Sequence, residues 1–119
     1  MKILVVFIAA ATLAWCQSGR ASAEGNATKG KELFTKYGCY QCHGYAGQGG
    51  RSGARVAPMA LTSAAMIRYI RQPAGEMPAY TAKVLPDSEA TDIWAYLRSF
   101  PAPPAVKDIP LLNQMQKKQ

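Results

Sequence analysis

Apolar positions recur along the chain at helical spacing, and nowhere do they alternate as a half-buried strand requires. Between Asn26 and Tyr37, the residues Leu33, Phe34 and Tyr37 share one face, and Asn26 or Thr28 can cap the first turn. That helix is predicted to end at Gly38. Ser63 can cap a second helix through Ala64–Arg71, where Met66, Ile67 and Ile70 form the stripe and Pro73 with Gly75 ends it. A third opens at Pro86-Asp87-Ser88-Glu89, with Asp87 or Ser88 as cap and acids in the first turn. It carries Ile93, Trp94, Tyr96 and Leu97 towards Pro101.

Two stretches have no period. Gly44–Gly53 holds five glycines among polar residues, which predicts a tight loop hugging something. Residues 101–119 contain Pro101, Pro103, Pro104 and Pro110, which predicts an extended tail rather than another helix. Its apolar patch, Ile109-Pro110-Leu111-Leu112, is expected to lie as a strap on the domain body, the alternative being a docking segment for a partner enzyme. The pattern is all-α, with three to four short helices in one domain at residues 24–103 and a tail at 104–119.

The amino-terminal residues read as a targeting segment. Lys2 supplies a positive start, Ile3–Ala14 an apolar run, and Ala21-Ser22-Ala23 a signal-peptidase pattern, so residues 1–23 are expected to be removed before Glu24. The apolar run is well short of the roughly 20 residues that span a bilayer, and no transmembrane segment is expected in the mature chain. A rival fate is lipid attachment at Cys16, because Leu13-Ala14-Trp15-Cys16 loosely resembles a bacterial lipobox, with Trp15 where a small residue belongs.

Length and charge narrow the function. The 119 residues carry a formal charge of +7. Loss of residues 1–23 takes away Lys2 and Arg20, leaving 12 basic against 7 acidic side chains, formally +5. That charge favours an acidic protein partner and is too dilute for nucleic-acid binding. Lys117-Lys118, the one basic cluster, sits at the end of the tail.

After cleavage two cysteines remain, Cys39 and Cys42, in a compartment where a disulfide or a redox C-x-x-C pair is the ordinary reading. His43 changes it. Cys39-Tyr40-Gln41-Cys42-His43 is the attachment pattern for a c-type haem: the thiols add to two vinyl groups and the next histidine ligates iron. A covalent haem also explains how about 96 residues with three short helices build a core. Phe34, Ile70, Trp94, Tyr96 and Leu97 are then packing residues around it.

Gly30-x-x-x-Phe34 before C-x-x-C-H, a Met-Pro loop, and Asp92-Ile-Trp-Ala-Tyr-Leu97 together resemble class I cytochromes c over roughly residues 26–100. The resemblance implies a small all-α cytochrome c fold around one covalently attached haem c. It also implies a crossing of the first and last helices, with Gly30, Phe34, Ile93 and Tyr96 at the matching places.

With His43 the sole histidine, a methionine is the expected sixth ligand. Met66 lies on a helical stripe and Met115 in the tail, while Met59 and Met77 are in loops. Glu76-Met77-Pro78-Ala79-Tyr80 resembles the family's distal loop, which implies Met77 as ligand and Tyr80 near a haem propionate. Pro58-Met59-Ala60-Leu61 resembles the family's Gly-Pro-x-Leu segment, which implies that the Pro58 carbonyl accepts a bond from His43. Ala57 stands where the family has glycine. Arg51 and Arg55 are either propionate partners or solvated loop residues.

The implied role is single-electron transfer by a periplasmic carrier between redox proteins such as a dehydrogenase, a respiratory complex or a terminal oxidase. The alternatives are a dedicated cytochrome subunit bound to a dehydrogenase, a haem sensor or enzyme in which Met77 dissociates, and a disulfide oxidoreductase. The last lacks the strand-helix-strand setting its motif needs.

Overall fold

The computed structural model describes residues 24–116; the segment 1–23 with Cys16, and Lys117-Lys118, lie outside the described residues. Five α-helices, α1 (Ala27–Lys36), α2 (Tyr40–His43), α3 (Ser63–Arg71), α4 (Asp87–Arg98) and α5 (Pro110–Gln116), and a 3-10 turn at Val106–Asp108 make up its regular structure. No strand occurs among the described residues.

The first and last helices of the domain form its main packing contact. Gly30, Leu33 and Phe34 of α1 and Ala90, Ile93, Tyr96 and Leu97 of α4 are the buried faces. The Phe34 and Tyr96 rings meet tilted, 5.7 Å apart. Polar ties flank this seam. Asn26 caps α1 by accepting from the Lys29 N–H at 3.0 Å, and its own N–H donates to the Asp92 carboxylate at 2.8 Å. Lys29 pairs with the same carboxylate at 3.3 Å, and the Tyr37 hydroxyl donates to Glu89 at 2.6 Å. Helix α3 adds Met66 and Ile70 to the core, and Leu85 closes it from the connection before α4.

Three local expectations are corrected. The cap of α3 is Thr62, whose Oγ1 accepts from the Ala65 N–H at 3.2 Å; Ser63 is already helical and turns its hydroxyl to Thr91 at 3.2 Å. Adjacent hydroxyls are equivalent in sequence, and only the extended backbone at residue 62 selects one. In α4 the residue before the helix is Pro86, with no side-chain cap, because Asp87 is the first helical residue and its carboxylate goes to Arg71.

The tail is the third correction. Residues 101–105 are irregular, as the prolines dictate, but 110–116 form α5. Pro110 stands at the first helical position, where its missing N–H is no loss and its fixed φ suits the helix. No proline follows it, and Asn113 bonds back to Ile109 and Lys107. This short helix packs against the 3-10 turn and leaves Leu111 two-thirds exposed, unlike an extended strap.

Candidate functional site

A cavity of about 820 Å³ opens among α1, α2, α3 and α4. Phe34, Met66, Ile70, Leu85, Ile93 and Leu97 give it an apolar interior. The cleft is open to solvent on one side, so without an occupant these apolar walls face water, and a large apolar group seated there would bury them.

The one-turn helix α2 delivers the chemistry. Residues 39, 42 and 43 are three and four apart, so Cys39, Cys42 and His43 share a face and line the cavity together. Neither cysteine is in a disulfide; Cys39 is partly buried and Cys42 exposed. Burial pushes the Cys39 thiol up to about 11, the reverse of the lowered value that a redox-active C-x-x-C thiolate needs. The described residues contain no strand, so the strand-helix-strand setting of a disulfide oxidoreductase is missing around this motif.

His43 is oriented from behind. Its Nδ1 lies 2.6 Å from the Ala54 carbonyl oxygen. A carbonyl only accepts, so Nδ1 carries a proton, and in the neutral ring that tautomer leaves the Nε2 lone pair as the one that can ligate a metal. The resemblance implied Pro58 for this role, and here the structure differs: Pro58 lines the cavity while the bond goes to Ala54. The reason is how closely residues 53–54 lie against the helix. A Cβ on Gly53 would sit 2.8 Å from the Cys42 carbonyl oxygen and 3.0 Å from the Cys42 Cβ, so only glycine lets this chain come under His43. Nothing in the sequence marks Ala54, because a backbone carbonyl has no residue signature.

The glycine-rich loop is wound on itself to make that approach. The Gly49 N–H donates to the His43 carbonyl at 2.8 Å, and the Gly47 carbonyl accepts from both Val56 and Ala57 at 2.8 and 2.9 Å. Arg55 lines the cavity with its Nε–H donated to the Ala57 carbonyl at 2.6 Å, whereas Arg51 is exposed and outside the lining.

Tyr80 lines the cavity near Cys39, and its hydroxyl donates to the Tyr37 carbonyl at 2.9 Å. Burial, and then the nearby Cys39 and Cys42, raise its ionisation above the ordinary phenol range. Met77 and Met59 both line the cavity, as does Met66, which is almost wholly buried in the core. Two thiols lining the cleft, one imidazole, a choice of thioethers and apolar walls form a donor set that fits a covalently attached haem, and among the described residues no polar side chain is left buried and unsatisfied.

No helix among the described residues is long and apolar enough to cross a membrane. No curated protein and no solved structure matches the chain. The family model for cytochrome c oxidase, cbb3-type, subunit III matches residues 25–97, more than half of the chain and the whole of the helical body around the cavity. With an all-helical fold, a C-x-x-C-H turn on an apolar cavity and that match, the chain belongs to this family of small class I c-type cytochromes, whose work is haem-based electron transfer.

Proposed function

We propose that this chain is a periplasmic carrier of single electrons, holding one haem c through Cys39 and Cys42 with His43 and Met77 as axial ligands. The observation that carries the reading is that both thiols, the imidazole held by Ala54 and the Met77 thioether line one apolar cavity. When bound, the group supplies a ferric/ferrous couple, placed at high potential by a thioether ligand and burial. Ala54 keeps Nε2 of His43 available, and Tyr80 and Pro58 line the walls beside it.

Met77 is favoured over Met59 by how each is tethered. Met59 continues the segment that is bonded into His43's own loop, and its N–H is fixed to the Leu97 carbonyl at 3.1 Å. Met77 hangs from the separate connection between α3 and α4, just after a local turn at Gly75-Glu76 and with no backbone bond to another segment. The test is the visible spectrum of the exported protein beside Met77→Ala and Met59→Ala. Loss of the weak far-red sulfur-to-iron band in Met77→Ala alone supports the assignment; loss in Met59→Ala alone, or a high-spin parent, sinks it.

The second reading is a resident subunit of an oxidase or a dehydrogenase, favoured by the family description, which names an oxidase subunit. Exposed Leu111 and Met115 on α5 offer such a partner an apolar contact. Removing residues 104–119 separates the two: a subunit stops copurifying with its enzyme while its spectrum is unchanged, and a free shuttle loses nothing.

A further inference from the structure

The connection that carries Met77 is closed at its far end by one backbone bond and one side chain. Arg71, the last residue of α3, donates from one guanidinium nitrogen to the Tyr80 carbonyl at 2.6 Å. Its other terminal nitrogen reaches the Leu85 carbonyl at 2.8 Å and the Asp87 carboxylate at 2.5 Å. One planar fork therefore holds residue 80, residue 85 and the first turn of α4 together. The Tyr80 N–H donates to the Ile70 carbonyl at 2.9 Å, so the chain leaves α3 and returns to it within ten residues.

Between those pins the loop is untied. Residues 73–79 make no hydrogen bond to a described residue outside the loop, which has only a turn of its own at Gly75-Glu76, and Glu76, Pro78 and Ala79 are exposed. Met77 is thus positioned by the loop's two ends and by its own contact with the cavity. The Arg71 side chain is itself largely buried, with 20% of its surface exposed, while Asp87 is 69% exposed. An exposed carboxylate contributes little through an ion pair alone. The two carbonyl bonds from a partly buried guanidinium are charge-assisted and stronger.

We infer that Arg71 is a positioning residue for the sixth ligand: by tying the Tyr80 and Leu85 carbonyls together it sets how firmly Met77 is held against the iron. The inference rests on Met77 being that ligand. Opening the clasp leaves Tyr80 held by its own N–H and hydroxyl bonds but frees the Tyr80 and Leu85 carbonyls, which loosens the far end of the loop and lowers the fraction of molecules with Met77 bound, without touching the attachment or the His43 side. Lysine in its place offers a point charge on a flexible stem and cannot serve both carbonyls and Asp87 with one rigid fork.

The experiment uses the haem-loaded protein with Arg71→Gln, Arg71→Lys, Asp87→Asn and Met77→Ala variants. Two quantities are read at neutral pH: the far-red sulfur-to-iron band of the oxidised form, and the rate of carbon monoxide binding to the reduced form. Arg71→Gln is expected to weaken the band and speed carbon monoxide binding at least about tenfold, the equivalent of about 1.4 kcal/mol. Asp87→Asn should stay within about twofold of the parent, as the loss of an exposed ion pair implies.

Arg71→Lys keeps the charge and covers the case in which the Gln variant does not accumulate. It should fall between parent and Gln, and a parent-like band and rate in the Lys variant would overturn the clasp. So would a Gln variant that melts earlier yet keeps the full band and slow carbon monoxide binding, since Arg71 would then be a structural brace only. Retention of the band in Met77→Ala overturns the ligand assignment and the inference with it, whereas its loss there alongside retention in Arg71→Gln overturns the inference alone.

Discussion

Gly30 of α1 lies directly against the Asp92 carbonyl of α4, so close that a Cβ built on it would overlap that oxygen and stand 2.9 Å from the Cβ of Tyr96. The two helices touch backbone to backbone at this point. Their flanking pairs, Lys29 with Asp92 and Phe34 with Tyr96, follow from that approach.

Replacement of Gly30 by alanine tests the crossing through the sign of its effect. Helix propensity alone would make Gly30→Ala stabilising by about 1 kcal/mol. Overpacking against a fixed carbonyl works the other way, by about 1–3 kcal/mol or more. The contact leaves α4 nowhere to move without opening the core, so net destabilisation is expected. Denaturant unfolding of the haem-loaded variant measures it, and a midpoint above the parent's would mean that the helices do not meet there.

Filling of the cavity is expected to be a condition of folding. The apolar walls of the cleft are a large share of what this small chain has for a core, and without an occupant they face water. Cys39→Ser with Cys42→Ser, which removes covalent attachment, should leave a chain with little helix by far-ultraviolet circular dichroism and no cooperative melt. A sharp thermal transition in that haem-free chain would show that the helices close without a filler.

Alkaline pH should weaken the fold through its tyrosines. Tyr37 is raised chiefly by the bond it donates to Glu89, while Tyr80 and Tyr96 are raised chiefly by burial. Each keeps its proton in the folded state at a pH where the unfolded chain has released it. The resulting stability is fully present below the ordinary phenol value near 10 and is lost as pH rises through the higher folded values. Melting temperature should therefore fall above about pH 10. Tyr96→Phe should be less stable at neutral pH by about 1 kcal/mol, having lost its bond to the Tyr45 carbonyl, yet fall less steeply in alkali. An equal alkaline slope in parent and variant would exclude Tyr96 from the effect.

Much of the fold was legible because it is local. Leu33 with Phe34, Met66 with Ile70, and Ile93 with Leu97 sit at helical spacing, and these are the buried faces of α1, α3 and α4. The caps were less legible. Thr62 and Ser63 carry the same chemistry side by side, and Asp87 is withdrawn from capping by Arg71, a residue 16 positions away. Helix α5 is not legible in the sequence because a proline can end a helix or stand at its first position, and Pro110 does the latter.

The sequence by itself determined the chemistry at residues 39–43, because the reach between two thiols and an imidazole is a matter of spacing within a single turn. It also determined the helical class, while the resemblance to class I cytochromes c implied Gly30 as the place where α1 meets α4. Tertiary structure alone decided which carbonyl holds His43, that Met59 and Met77 line the same cavity, and that Arg71 joins Tyr80 to Leu85. Those are contacts between backbone atoms or long side chains on segments far apart in the chain. A carbonyl is present at every residue, so only the path of the folded backbone can say which one a donor meets.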